Sequence, residues 1–247
     1  MTPTTMQQKN CRFYCYKKTR KINPFKVNSN GNIELVLFDM DGVLTDIISS
    51  WKHVHDFFGT CNDESVDEYL KGKIDDLEFI KRDVLLWREN GKLVSRDRLV
   101  EILSDVPLMK GAKECVRSIK EKNVKTCIVS AGLDILAEQV AKNLGIDFVF
   151  ANGTNIDEDG CVNGEAVLKV QLMYKEKTVV EISNQLGVPL NRIAAVGNSC
   201  FDIPMFEACG LGIAFNPSDD CVRDAADYVV EGNDLCKILP VLEEYIN

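Results

Sequence analysis

Apolar and polar positions divide the chain into three blocks that predict different structures. Ile33–Phe38 (IELVLF) is a short, mostly apolar run that ends at two aspartates, and its length and β-branched content predict a buried strand. Residues 48–107 have helical periodicity interrupted by glycines, which predicts a helical insert. From residue 108 onward, short apolar runs alternate with amphipathic stretches, so strands are expected to alternate with helices.

Glycines mark the ends of several elements in the third block. A helix that begins near Leu133 is expected to end at Gly145, and Asp159-Gly160 is expected to turn a hairpin. The predicted helices are Gly111–Lys122, Leu133–Leu144, Lys175–Leu186, Ile203–Cys209 and Asp234–Tyr245, and the predicted strands are Thr126–Ser130, Asp147–Ala151, Arg192–Val196, Gly212–Phe215 and Tyr228–Val230.

This alternation predicts an α/β fold, with a Rossmann-like parallel sheet, helices on both faces, and an inserted α-helical cap. The expected organisation is a basic extension over 1–32 that is not part of the core, a core formed by 33–47 and 108–247, and a cap over 48–107. Ligands of such sheets bind beyond the carboxyl ends of the strands. The residues that follow each strand are therefore the candidates for a functional site.

Composition indicates a globular protein and limits its partners. Hydrophobic residues make up 45% and charged residues 27%, and no uncharged run approaches the roughly 20 residues of a membrane span. The net charge is −9 although seven Lys or Arg precede the first acidic residue, Glu34, and an acidic body repels nucleic acid and anionic membranes. The ten cysteines include no CxxC pair, which favours free thiols and a cytoplasmic location.

Residues able to do chemistry follow three predicted strands and open one helix. Asp39 and Asp41 follow the first strand, and Gly42 would let the chain coil so that both carboxylates face one pocket. A carboxylate can attack phosphorus, and a hard cation such as Mg²⁺ would let carboxylates and a phosphate share the site. The other candidates are Ser130, Ala131, Gly132, Lys175, Asn198 and Asp202.

These residue types supply what phosphoryl transfer needs, which is positioning and charge neutralisation. The Ser130 hydroxyl and the amides that follow it would hold phosphate oxygens, and Lys175 would add a fixed positive charge. Taken singly, each has an ordinary explanation, because a strand-end Asp is often a turn residue and a Ser is often a helix cap. In this order on an α/β pattern, they predict a phosphoryl-transfer site.

The same motifs resemble those of the haloacid dehalogenase superfamily of phosphatases. The first motif of that superfamily, D-x-D-G-x-[TV]-x, is similar to residues 39–46 (DMDGVLTD), its second to 129–132 (VSAG) and its fourth to 197–202 (GNSCFD). Within the superfamily the likeness is to the phosphoserine phosphatases, whose I-V-S-G-G-F-D-I stretch resembles residues 128–135 (IVSAGLDI). The resemblance extends from Glu34 to the C-terminus and implies an inserted helical cap.

The resemblance implies a Mg²⁺-dependent phosphate-monoester hydrolase that acts through an aspartyl-phosphate intermediate. Asp39 would be the nucleophile, and Asp41 would act as general acid and then as general base. The implied phosphate-binding residues are Gly42, Ser130, Ala131, Gly132 and Lys175, with Lys177 as a competing lysine, and the implied metal-binding residues are Asp39, Asp41, Asn198 and Asp202.

The implied substrate is a small phosphorylated metabolite, with phosphoserine of L-serine biosynthesis as the leading choice. The alternatives are a phosphatase for a sugar or polyol phosphate, and a binding or regulatory protein with weakened turnover. A homodimer is left open.

Two departures from the family pattern bear on metal affinity and on substrate choice. Asn198 stands where the family has a metal-binding aspartate, and its amide oxygen can bind Mg²⁺ but adds no charge. The family's acid and cap arginine, which read the amino and carboxylate groups of phosphoserine, align with Ile48 and with or beside Asp83. The candidate replacements are Asp46, Lys81 and Arg82.

The cap carries most of the aromatic residues that have no place in these motifs. The expected cap core is formed by Trp51, Phe57, Phe58 and Trp87. His53 and His55 lie two apart, so on a helix they point in different directions and are expected at the surface.

Overall fold

The computed structural model describes residues 32–246. The predicted basic extension lies outside them, apart from its last residue, as do Cys11 and Cys15. The cysteines that the structure does describe are free thiols. Between residues 32 and 246, no helix combines the length and the apolar content needed to cross a lipid bilayer.

Strands and helices alternate along this part of the chain, with a mainly helical block after the first strand. The strands are β1 (Leu35–Phe38), β2 (Arg88–Glu89), β3 (Lys92–Leu93), β4 (Lys125–Leu133), β5 (Phe148–Ile156), β6 (Val162–Val167), β7 (Ile193–Gly197), β8 (Leu211–Phe215) and β9 (Tyr228–Val230). The α-helices are α1 (Ser50–Phe58), α2 (Asp63–Leu70), α3 (Asp76–Leu85), α4 (Arg96–Ser104), α5 (Ala112–Glu121), α6 (Asp134–Leu144), α7 (Lys175–Leu186), α8 (Ile203–Ala208), α9 (Asp220–Ala225) and α10 (Leu239–Glu243).

The predicted helix over Asp234–Tyr245 is divided in two. A 3₁₀ turn covers Leu235–Ile238, and α10 begins after it. Pro240 lies in the first turn of α10, where a missing backbone N–H is tolerated, whereas inside one continuous helix it would remove a hydrogen bond. The proline therefore explains why the helix restarts.

A seven-stranded sheet in the order β6-β5-β4-β1-β7-β8-β9 forms the centre of the fold. All neighbouring strands run parallel except β5 and β6, which form an antiparallel hairpin around the predicted turn at Asp159-Gly160. Phe38 at the end of β1 pairs with Ile128 of β4 and with Val196 of β7, so the residues that follow these three positions lie at the same edge of the sheet. The predicted α/β class is confirmed.

Both faces of the sheet are covered, as the apolar run of β1 requires. All four side chains of β1 are fully buried. Val36 and Phe38 belong to a core that includes α5 and α6, while Leu35 and Leu37 face a second core formed with α7 and α8. Helices therefore lie on both sides, as predicted.

The block between β1 and α5 contains the four helices α1–α4 and one short hairpin that the helical pattern missed. Asn90 and Gly91 join β2 to β3, and their φ angles of 50° and 80° are those that a tight two-residue hairpin requires. Val54, Val84 and Leu99 of this block are buried in the same core as one face of the central sheet. Helix α1 packs against β4 and α3 packs against β5 and β6, while α4 packs against α1 and α6.

The aromatic residues of this block divide between core and surface. Trp87 is fully buried, Trp51 and Phe58 pack against the core, and Phe57 is 49% exposed, so the prediction for Phe57 is wrong. His55 is buried rather than exposed, because its Nδ1 contacts the indole Nε1 of Trp87 at 3.2 Å and it faces the cap interior. A polar partner inside the cap thus overrides the surface preference of histidine.

Candidate active site

The loop after β1 coils tightly and carries both aspartates to the strand ends. The amide of Asp39 still donates to the carbonyl of Val196 at 2.9 Å, so β1 holds the first aspartate in place. The backbone carbonyl of Met40 then accepts hydrogen bonds from the amides of residues 43, 44 and 45, and from the hydroxyl of Thr45 at 3.1 Å. This coil fixes where Asp39 and Asp41 lie.

Gly42 is the point where this coil touches the loop after β7. Its φ is 79°, and a Cβ at this position would lie 2.0 Å from Nδ2 of Asn198, so a side chain does not fit. The backbone carbonyl of Asn198 accepts hydrogen bonds from the amide and hydroxyl of Ser218 at 2.8 and 3.0 Å, and these bonds anchor the loop after β7. Asn198 is thereby held beside the aspartate loop.

Lys175 is a buried cation between two carboxylates. Its side chain is 2% exposed, and Nζ donates to Oδ1 of Asp39 at 2.9 Å and to Oδ1 of Asp202 at 2.8 Å. It is the first residue of α7, whose bounds agree with the predicted helix. The topology thus joins residues that are 136 and 27 positions from Lys175 in the sequence.

The competing lysine, Lys177, faces a different environment. Its Nζ donates to Oε1 of Gln171 at 2.7 Å and lies 4.6 Å from the centre of the Tyr174 ring. Of these two lysines, Lys175 is the one that contacts Asp39.

Asp202 is fully buried and holds the loop after β7. Its Oδ2 accepts from the amides of Asn198 and Ser199 at 2.9 and 3.0 Å, and its Oδ1 faces Lys175. Both oxygens are therefore engaged, and these contacts orient the loop and the lysine.

Asp41 is held by the first turn of α1. Its Oδ2 accepts from the amide of Ser50 at 2.8 Å and from the Ser50 hydroxyl at 2.9 Å, while its Oδ1 is buried and has no hydrogen-bond partner among the described residues. Sequence reasoning missed Ser50, because nothing in the pattern separates it from the adjacent Ser49.

The candidate phosphate-binding segment is a bulge in β4, which is why this strand is longer than predicted. Val129 pairs with Phe150 and Leu133 pairs with Asn152, so β4 carries two extra residues between these pairs. Bulges next to active sites redirect side chains. Ser130, within the bulge, is 2% exposed, and its Oγ accepts from the amide of Gly132 at 3.1 Å.

Two side chains that sequence reasoning missed hold this bulge. Nε1 of Trp51 donates to the carbonyl of Ala131 at 2.9 Å, and Nδ2 of Asn152 approaches the same carbonyl at 3.4 Å. The Oδ1 of Asn152 also accepts from the amides of Lys169 and Val170, both at 2.9 Å. These long-range contacts have no periodic signal in the sequence.

Burial and crowding of carboxylates dominate the electrostatics of the site. Burial, together with the charge of Asp202, raises the pKa of Asp39 to about 7, although Lys175 opposes this. Burial also raises the pKa of Asp41 against the two hydrogen bonds from Ser50. Burial alone would lower the pKa of Lys175. The charges and hydrogen bonds of Asp202 and Asp39 outweigh burial and raise this pKa above its usual value, so the lysine stays charged.

The donor atoms fit a hard cation. Asp39, Asp41 and Asn198 lie on the two loops that meet at Gly42, and carboxylate, carbonyl and amide oxygens are the ligands that Mg²⁺ takes. Burial and the neighbouring charge of Asp202 raise the pKa of Asp39, and a cation held beside this carboxylate would offset both effects. No group of three or more His, Cys, Asp or Glu within residues 32–246 forms a metal cluster, so a cation here would also need amide or backbone oxygens.

Comparisons with known proteins agree with this fold. A family model for haloacid dehalogenase-like hydrolases matches residues 33–210. The phosphoserine phosphatase of Idiomarina loihiensis is 29% identical over 85% of this chain and 94% of its own length, and that of Methanocaldococcus jannaschii is 29% identical over 85% and 98%. The phosphoserine phosphatase of Archaeoglobus fulgidus is 30% identical over 87% of this chain, and the match covers 61% of the length of that relative.

Solved structures show the same likeness. A substrate-bound phosphoserine phosphatase complex superposes with a TM-score of 0.71 at 25% identity, over 87% of this chain and 99% of the other. A phospho-aspartyl intermediate analogue of phosphoserine phosphatase gives the same TM-score and identity over 87% and 100%. The fold, the site and these matches define a phosphoric monoester hydrolase. The chain belongs to the haloacid dehalogenase-like hydrolases.

Proposed function

We propose that this chain hydrolyses a small phosphate monoester through an aspartyl-phosphate intermediate, with Mg²⁺ as its cofactor and phosphoserine as the leading substrate. The observation that carries the proposal is the buried contact between Nζ of Lys175 and Oδ1 of Asp39 at 2.9 Å. Asp41, two residues after Asp39, has one buried oxygen without a hydrogen-bond partner among the described residues. The proposed nucleophile, cation and acid thus come from loops at one edge of the sheet, which supports the proposal.

In the first step, a carboxylate oxygen of Asp39 forms a bond to phosphorus while the bond from phosphorus to the ester oxygen breaks. Protonated Asp41 gives its proton to that leaving oxygen. In the second step, Asp41 takes a proton from water, the water oxygen bonds to phosphorus, and the carboxylate of Asp39 is released with inorganic phosphate.

The phosphoryl oxygens would be bound by donors that the bulge and α7 supply. These donors are the hydroxyl of Ser130, the amide of Ala131 and Nζ of Lys175, with Gly42 leaving room beside Asn198. The amide of Gly132 donates to Oγ of Ser130 and would orient that hydroxyl toward the phosphoryl group. Charge on these oxygens develops during transfer, so fixed donors stabilise the transition state more than the substrate.

The residues proposed to hold Mg²⁺ are Asp39, Asp41 through its backbone carbonyl, and Asn198. When bound, the ion would neutralise charge on the carboxylates and on the phosphoryl group. Asp202 is proposed to support the site by orienting Lys175 and the loop of Asn198, since both of its oxygens already have partners.

Phosphoserine is the leading substrate because the relatives from Idiomarina loihiensis and Methanocaldococcus jannaschii are phosphoserine phosphatases that match over 85% of this chain. A second candidate, a sugar or polyol phosphate, is favoured by the charged residues of the cap. Arg82 donates to Glu68 and Glu78 at 2.6 and 2.8 Å, and Lys81 pairs with Glu78 at 3.9 Å, so these cations are engaged within the cap.

The two positions that align with the family's substrate-reading residues also differ in character. Ile48 is 81% exposed, and Asp83 is buried beside His55 and Asn62. Neither residue is an equivalent of the family's acid or arginine, which supports testing phosphate esters that lack amino and carboxylate groups alongside phosphoserine.

The test is a substrate panel with purified protein, in Mg²⁺ and in EDTA. Turnover of phosphoserine about tenfold or more above glycerol phosphate and hexose phosphates supports the leading substrate, and the reverse order supports the second candidate. Asp39→Asn should abolish turnover, and hydroxylamine should convert Asp39 of the turning-over enzyme to a hydroxamate detectable by mass spectrometry. Absence of turnover with every ester, or full activity of Asp39→Asn, would refute the proposal.

A further inference from the structure

One buried hydroxyl, that of Ser50, joins three parts of the site. It donates to Oδ2 of Asp41 at 2.9 Å and accepts from the amide of Leu133 at 3.0 Å. The Ser50 amide donates to the same Asp41 oxygen at 2.8 Å. The loop after β1, the first turn of α1 and the end of β4 therefore meet at one side chain that is fully buried.

We propose that Ser50 is a positioning residue that fixes Asp41 for proton transfer to the leaving oxygen. The inference rests on the proposed function, in which Asp41 is the general acid. The two hydrogen bonds make the oxygens of Asp41 unequal, because Oδ2 faces two donors while Oδ1 is buried and unpaired. Ser50 therefore fixes the orientation of the Asp41 carboxyl through Oδ2 and leaves Oδ1 without a partner among the described residues.

Close packing of the bulge against this pair supports a role in alignment. A Cβ on Gly132 would lie 2.6 Å from Oγ of Ser50 and 2.8 Å from Oδ2 of Asp41, so the phosphate-binding segment lies against both. The next residue of α1, Trp51, donates to the carbonyl of Ala131. Two consecutive helix residues thus set the distance between the acid and the phosphate-binding segment, and small errors in such distances are costly for catalysis.

The hydroxyl of Ser50 is not needed to begin α1. That role belongs to Ser49, which has extended backbone angles and whose Oγ accepts from the amide of Lys52 at 3.3 Å. Ser49 therefore provides a matched control, because it is adjacent, carries the same hydroxyl and caps the helix without contacting Asp41.

The experiment compares leaving groups in the full chain with Mg²⁺. An alkyl phosphate, such as phosphoserine or glycerol phosphate according to the panel, needs its leaving oxygen protonated, whereas p-nitrophenyl phosphate leaves readily as the anion. For Ser50→Ala we expect kcat/KM on the alkyl ester, which reports the reaction only through release of the leaving group, to fall about tenfold or more, and kcat/KM on p-nitrophenyl phosphate to fall less than about threefold. The comparison uses kcat/KM because the second step, in which Asp41 acts as base, is common to both esters. Ser50→Thr, which keeps the hydroxyl, should restore most of the alkyl-ester rate.

Reference variants separate the two levels of the argument. Asp41→Asn should show the same preference for p-nitrophenyl phosphate in stronger form, and Ser49→Ala should show none. If Asp41→Asn lowers kcat/KM equally for both esters, the role of Asp41 as general acid is wrong and the inference fails with it. If Asp41→Asn discriminates but Ser50→Ala slows both esters equally, the proposed function survives and the positioning role of Ser50 is refuted.

A folding defect in Ser50→Ala does not remove the test. Ser50→Cys keeps the shape of the side chain while weakening its hydrogen bonds, so it should discriminate between the two esters in the same direction. A Ser50→Cys protein that is folded by circular dichroism and shows no discrimination would overturn the inference.

Discussion

Replacing Lys175 by Met tests whether the site is organised around one buried cation. The change removes the charge and keeps most of the apolar stem, and it leaves Oδ1 of Asp39 and Oδ1 of Asp202 without the nitrogen that contacts both. Removing one partner of a buried ion pair typically costs about 3–5 kcal/mol, because the remaining charge is desolvated and unpaired. Here two carboxylates lose the same partner, so we expect a loss of about 4 kcal/mol in the free energy of unfolding at pH 8.

The loss should depend on pH in a defined direction. The pKa of Asp39, already raised to about 7 by burial and by Asp202, should rise further once Lys175 no longer opposes the shift. At each pH between 8 and 6, Asp39 of the folded variant then binds more protons on average than Asp39 of the folded parent, while Asp39 stays ionised in both unfolded chains. Stability of the variant therefore recovers as pH falls, by about 1 kcal/mol relative to the parent, since one pKa unit corresponds to about 1.4 kcal/mol.

The assay is urea unfolding followed by circular dichroism at pH 8 and pH 6 in EDTA, with Lys177→Met as the matched control. Lys177 contacts Gln171 and the Tyr174 ring but neither carboxylate, so its replacement should change stability by less than about 0.5 kcal/mol. A Lys175→Met protein as stable as the parent at pH 8, or one whose deficit is the same at both pH values, would show that this cation does not hold the carboxylates.

The α/β class and most of its elements could be predicted because they depend on local pattern. β1 is apolar at every position and fully buried, and α7 has the predicted bounds because Gly187 ends it in the left-handed conformation. The β2–β3 hairpin was missed although Asn90-Gly91 is a hairpin signal, because two strands of two residues leave no periodic pattern to read.

The site was predictable only where motif and chain order carried the information. Asp39 and Asp41 follow an apolar strand, so their position can be read from the sequence, but the burial of Lys175 cannot, because lysine is rarely buried. Ser50 and Trp51 depend on partners 9 and 80 residues away, which tertiary packing brings together and which no local pattern reveals.

Three further variants extend the argument to the metal, the loop contact and the cap. Asn198→Asp should lower the Mg²⁺ concentration that gives half-maximal activity, since a carboxylate replaces an amide oxygen, and an unchanged titration would exclude residue 198 as a ligand. Gly42→Ala should cost about 1–3 kcal/mol in urea unfolding, since its φ is 79° and its Cβ would meet the Asn198 side chain at 2.0 Å; a neutral result would show that the loop can move. Trp51→Phe removes the donor to the Ala131 carbonyl at 2.9 Å but keeps a ring beside Trp87, whose centre is 5.5 Å away. A hydrogen bond worth about 1 kcal/mol corresponds to a roughly fivefold loss in kcat/KM. Trp87→Phe, which removes a donor inside the cap, should instead lower stability with little effect on kcat/KM, and equal losses of kcat/KM in both variants would show that Trp51 does not act through the phosphate-binding segment.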